Sequence, residues 1–214
     1  MNGLRGEITG TNLEGNLFAP VEKEWPHKWP DGIVTYRLTN LSLDIEKKEW
    51  QERAVTVAFR VWGLRVKDIK FKRVYDSEAP VDIPISFEPL SVFDGKKGVL
   101  AHATYPGQST MYIHINDEWN WVPATKWQRL SQPPMVPILI HEIGHALGLR
   151  HDTLDVESIM YPSFDLGKEK NKLGPRDIDR IQGKAGFIGY GARTLSQRLI
   201  DYFIKRRTDG RDYR

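Results

Sequence analysis

Residues 141–151 read H-E-I-G-H-A-L-G-L-R-H, a run in which histidine, glutamate and glycine stand at spacings that suit a metal centre. His141 and His145 are four residues apart, so on a helix their imidazoles share one face, one turn apart, and can hold the same ion. Gly148 lets the chain leave that helix through a left-handed turn and bring His151 back as a third ligand. The fourth tetrahedral position is left open, as a catalytic zinc requires. Glu142, beside the first ligand, is placed to take a proton from a water held at the metal. One histidine on an apolar helix is more often a satisfied core residue. The whole pattern arises by chance on the order of once in ten million start positions, so the metal reading prevails.

Several elements must position this run. Residues 1–30, rich in Gly, Asn, Glu and Pro and carrying Trp25 and Trp29, read as an arm laid on the surface. Residues 33–38 form a strand by their β-branched and aromatic content. Ser42 or Asp44 then caps a helix to about Trp62, in which Ala54, Val57, Ala58, Val61 and Trp62 recur at helical spacing and Gly63 is the stop. Strands follow at 69–75 and 83–87, and the strand-helix-strand order implies a crossover and a mixed sheet. A turn-rich loop with Asp94 leads to an edge strand at 99–105 and another at 110–115, divided by Pro106 and Gly107. Alternation sets His102 and His114 opposite each other, and Asn116, Asp117 and Glu118 offer oxygens just after the second of these strands. A loop rich in Trp and Pro runs to the active helix, with Pro137 in its first turn.

Bulk properties narrow the class. A chain of 214 residues and 24.7 kDa, 40% hydrophobic and 28% charged, suits one globular domain with appendages. The net charge of +3 and pI near 9.0 are mild and not gathered at the motif, so no nucleic-acid partner is expected. The absence of cysteine excludes disulfides and thiolate ligands and leaves the redox compartment open. No apolar run reaches the roughly 18 residues of a membrane span, and residues 1–20 lack a signal pattern. In residues 188–214, Leu195, Leu199, Ile200, Phe203 and Ile204 recur beside Arg198, Lys205, Arg206 and Arg207 as a basic amphipathic helix. Two readings of it stay open: packing on the domain with a charged tail, or peripheral membrane or partner contact through 194–207.

After His151 comes Ser158-Ile159-Met160-Tyr161-Pro162. A three-histidine motif followed by such a methionine turn resembles the metzincin metallopeptidases. With Leu100-Ala101-His102-Ala103, Phe93-Asp94-Gly95 and the Leu173 to Gln182 segment, residues from about 30 to 187 are similar to the catalytic domain of the matrixins. The resemblance implies an α+β zincin fold: a mixed, twisted, five-stranded sheet with an antiparallel edge strand, three main helices, an active-site helix and a methionine turn. It also implies an organisation into an arm (1–30), a catalytic domain (31–187) and a basic extension (188–214).

The resemblance assigns roles as well. His141, His145 and His151 would hold catalytic zinc, Glu142 would be the base, and Met160 would form a hydrophobic floor beneath the histidines. Val99, Leu100 and Ala101 would lie on the edge strand to which an extended peptide adds. Tyr161, Pro162 and Phe164 would wall the pocket for the side chain after the cut bond, with Phe164 standing where matrixins usually carry tyrosine. His102 and His114 match half of the set that binds a second, structural zinc, but residues 88–92 supply neither of the other ligands. They are either a second zinc site or hydrogen-bonded strand residues. Asp94, Asp117 and Glu118, with carbonyls of 95–98, match a calcium site, the alternative being solvated acidic turns. The implied activity is a monomeric, zinc-dependent endopeptidase acting on extended protein or peptide substrates, with an extracellular role as the family expectation. The alternative is a catalytically silent metzincin-like binding or sequestering module, against which the intact Glu142 speaks.

Overall fold

A computed structural model describes residues 5–7, 32–96, 98–106, 110–122, 132–165 and 170–183. Alternating burial builds its main sheet. In β2 (Ile33–Leu38) Val34 and Tyr36 face inward, and in β4 (Ile83–Glu88) Ile83, Ile85 and Phe87 do so. With β3 (Lys70–Arg73), β5 (Ala101–Ala103) and β6 (Ile113–Asn116) they form five strands in the order β3-β2-β4-β6-β5. All pairs are parallel except β5 with β6, which makes β5 the antiparallel edge. A parallel pair needs a crossover, and α1 (Lys48–Gly63) supplies it between β2 and β3. The expected mixed five-stranded sheet with an antiparallel edge is therefore present.

α1 turns Ala54, Val55, Ala58, Phe59 and Trp62 inward, and Phe59 stacks on Tyr36 with ring centroids 3.8 Å apart. Against it lies α2 (Met135–Ala146), every residue of which is buried. The fully buried indole of Trp62 donates to the Ile140 carbonyl at 2.8 Å, joining the two helices by a bond as well as by packing. The methionine turn follows, then β7 (Ser163–Asp165) and α3 (Pro175–Ile181).

Several boundaries depart from expectation. Helix α1 starts at Lys48, not at Ser42 or Asp44. Gln51 explains this: its Oε1 accepts from the Ser42 N–H and its Nε2 donates to the carbonyls of Ser42 and Ile45, so the polar residues close a local turn instead of a cap. The edge strand is shorter than 99–105, because the Val99 carbonyl accepts from the side chains of Asn116 and Trp119 rather than from a ladder partner. Asn116 belongs to β6 and is fully buried, so it is not an exposed oxygen after the strand. Of the arm, Arg5–Glu7 forms a strand, β1, antiparallel to β7 with Gly6 opposite Phe164. The remainder of the arm, the glycine at 107, most of the loop before α2 and the basic extension lie outside the described residues. Among the described residues no helix is long and apolar enough to cross a membrane.

Gly144 is where the methionine turn meets α2. A Cβ there would stand 2.3 Å from Met160 Sδ and 3.0 Å from Trp62 Cζ2. Gly144→Val should therefore overpack the junction by about 3 kcal/mol and lower the melting temperature by roughly 6–12 °C for a chain of this size. Thermal melting followed by circular dichroism checks this, and an unchanged midpoint would contradict the packing described.

Candidate metal centre

Burial of α2 on all sides carries His141, Glu142 and His145 into the interior, each with no exposed surface. The helix ends at Ala146, Gly148 takes a φ of 103°, and the chain doubles back as its spacing predicts. His151 thereby joins the other two: one ring nitrogen from each lies within 4.8 Å of the others, and the Nε2 atoms of His145 and His151 are 3.2 Å apart. Among the described residues this is the one group of three or more metal-ligating side chains.

The backbone fixes the ring orientations. His141 Nδ1 lies 2.6 Å from the Ile159 carbonyl and His145 Nδ1 lies 2.7 Å from the Leu149 carbonyl. A carbonyl only accepts, so in both rings Nδ1 carries the proton and Nε2 presents its lone pair to the centre. His141 Nε2 and both oxygens of Glu142 are buried without a hydrogen-bond partner. Uncompensated polar atoms in an interior are costly and rare. A cation held by the three nitrogens, with a water between it and the carboxylate, would satisfy all three atoms, so the donor set fits zinc.

Electrostatics agrees. Burial, and after it the neighbouring rings, holds His141 well below its ordinary value, and burial with His151 brings His145 down to about 3. The imidazoles are thus neutral, the state that ligates metal. Burial drives the Glu142 carboxyl well above its ordinary value. Met160, fully buried, packs against Gly144 between the two helical ligands, where a hydrophobic floor was expected. Tyr161 and Pro162 are half-buried after the turn. Phe164 is buried within the hydrophobic core.

The other expected ligands group differently. His102 and His114 face each other in register, and His102 Nε2 lies 3.0 Å from His114 Nδ1. Tyr112 stacks on His114 at 3.9 Å, and Phe93 lies against His102 at 4.7 Å. Burial first, and then His114, lowers His102 to about 4. Asp94 occupies the left-handed position after a short helical turn (Leu90–Phe93), and the Asp117 carboxyl is raised by burial. Among the described residues, Asp94, Asp117 and Glu118 form no common ligand group.

Sequence reasoning passed over two nearby side chains. Tyr105 presents its ring to His145 at 5.4 Å, with its phenol pushed up to about 12 by burial and then by Glu142. Lys170, buried, donates to the carbonyls of Val156 and Ser158, bracing the methionine turn. Neither stands at a spacing that a motif would single out.

The five-stranded sheet, the active-site helix and the methionine turn beneath it define the metzincin class. The matrixin family model matches residues 25–184, and the chain belongs to that family. It is 32% identical over 164 residues to the macrophage metalloelastase of Rattus norvegicus, which covers 74% of this chain and 34% of that protein. It is 33% identical over 165 residues to the interstitial collagenase of Sus scrofa, with 74% and 33% covered. With the neutrophil collagenase of Homo sapiens it shares 34% over 166 residues, again 74% and 33%. The chain spans about a third of the length of these curated relatives.

The His102–His114 pair makes a testable statement about acid stability. Folded His102, at about 4, binds a proton less readily than an unfolded histidine near 6.5, so the unfolded state holds more protons in that window. Stability contributed by the neutral pair is full above about pH 6.5 and falls as pH drops toward 4. Chelator-treated His102→Gln should lose less melting temperature than the wild type between those two pH values. Parallel curves would contradict a neutral pair.

Proposed function

We propose that this chain is a zinc-dependent endopeptidase that hydrolyses peptide bonds in extended protein substrates. The observation that carries the proposal is the convergence of three imidazoles beside a buried glutamate whose oxygens have no hydrogen-bond partner. His141, His145 and His151 would hold the ion through Nε2 in the two helical rings. Zinc, when bound, supplies Lewis acidity for the scissile carbonyl and acidifies a coordinated water to a pKa of about 7.

The remaining chemistry belongs to the side chains. Glu142 accepts a proton from the attacking water as its oxygen bonds to the carbonyl carbon. As the C–N bond breaks, Glu142 returns that proton to the amine, so acid and amine leave in balance. Among the described strands β5 is paired on one side alone, with β6, so its free edge suits an extended peptide added antiparallel to Val99, Leu100 and Ala101. Backbone pairing would supply affinity there. Tyr161 and Pro162, after the methionine turn, and Phe164, within β7, would shape the pocket for the side chain beyond the cut bond. His102 and His114 are read as a hydrogen-bonded pair that braces this edge, their rings being already bonded to each other. Extracellular proteins are the substrate class that the family reading favours.

Glu142→Ala should keep one zinc per chain while kcat/KM on a fluorogenic peptide falls at least a hundredfold, the scale of a general base. Metal analysis and steady-state rates on the same preparation check this. Undiminished turnover would overturn the mechanism.

A further inference from the structure

The two helical ligands are positioned by α2 itself and by carbonyls at their Nδ1 atoms. His151 has no such helix. It lies past the left-handed Gly148 on irregular chain, where contacts to the neighbouring residues help to place it.

Arg180 of α3, 7% exposed, holds both. Its Nη2 donates to the Arg150 carbonyl at 2.8 Å, and its Nη1 lies 3.6 Å from Asp152 Oδ2. That second Arg180 contact is an ion pair; Asp152, 3% exposed, accepts its hydrogen bond at this oxygen from Arg176 Nε. Its other oxygen accepts from the Leu154 N–H at 3.1 Å, and its own N–H donates to the Met160 carbonyl at 2.9 Å. One planar guanidinium thus spans the peptide before His151 and the carboxylate after it. A flexible ammonium would not reproduce that fork.

Burying an arginine and an aspartate is weak evidence for stability, because desolvation offsets most of their attraction. Such a pair more readily specifies a geometry. α3 also reaches the first ligand: Asp177 accepts from the Ile159 N–H at 3.0 Å, and the Ile159 carbonyl receives His141 Nδ1.

We propose that Arg180 and Asp152 form a staple that positions His151 as the third ligand, so that docking of α3 sets how tightly the metal is held. The proposal rests on the reading of the three histidines as a zinc site. Outer partners of ligands of this kind typically alter metal affinity 10–100-fold.

The test compares wild type, D152N and R180K. D152N keeps shape and loses charge; R180K keeps charge and loses the fork. Zinc affinity is measured by competition with a chromophoric chelator, geometry by the visible spectrum of the cobalt(II)-substituted protein, and folding by melting of the metal-free protein. Both variants should lower the metal-free melting temperature, as breaking a buried pair does, and the folded protein of each should bind zinc about 10–100-fold more weakly with weakened cobalt bands. Zinc affinity within twofold of wild type in both variants would overturn the staple. A fall in metal-free melting with unchanged affinity of the folded protein would overturn it too. If D152N does not fold, R180K decides by the same criteria. Wild type failing to bind zinc would sink the metal reading itself, an outcome distinct from failure of the staple.

Discussion

Polar atoms buried without protein partners are the constraint around which the molecule is arranged. His141 Nε2 and both Glu142 oxygens lack hydrogen-bond partners in an interior where the buried side chains of Gln51, Trp62, Asn116 and Trp121 each find one. A helix buried on every side would ordinarily carry only apolar residues, and α2 otherwise does so with Met135, Val136, Ile138, Leu139, Ile140 and Ile143. Keeping an imidazole lone pair and a carboxylate in such a place costs stability unless something binds them. The surroundings hold this arrangement rigid instead of relieving it. Trp62 bonds the helix backbone, Met160 fills the space above Gly144, and carbonyls of Ile159 and Leu149 lock two rings.

The sheet serves the same end from the other side. Its parallel strands and the α1 crossover give α2 an apolar bed, while among the described strands the antiparallel β5 is paired on one side alone. A substrate added as a further strand would gain backbone bonds without demanding a particular sequence, and side-chain preference would fall to the segment after the methionine turn. In the described structure β7 is itself paired with Arg5–Glu7 in a two-stranded ribbon.

Much of this was legible in the sequence where local rules coincide with tertiary ones. The His141 to His151 spacing works because helix periodicity and a glycine turn are backbone properties, and the observed φ of Gly148 bears it out. The facing of His102 and His114 followed from strand alternation and appears in the register. What local rules missed is long-range. Ser42 looks like a cap until Gln51, nine residues on, claims its backbone, and Val99 looks like a strand residue until Asn116 takes its carbonyl. Tyr105, Lys170 and the Asp152–Arg180 pair matter only because separate segments meet, and no periodicity announces such meetings. Family resemblance reached further than spacing did: three histidines alone indicated a zinc hydrolase, while Met160 and the Ala101-His102 strand pointed to the matrixins.

The three-histidine centre, loaded with zinc, is proposed to cut peptide bonds. The most direct test of that activity is incubation of the protein with a denatured protein or peptide library, with and without a zinc chelator, read by mass spectrometry. New internal termini are expected that vanish with chelator and return when one equivalent of zinc is restored. A library left intact by zinc-loaded protein, or cleavage indifferent to the chelator, would contradict it.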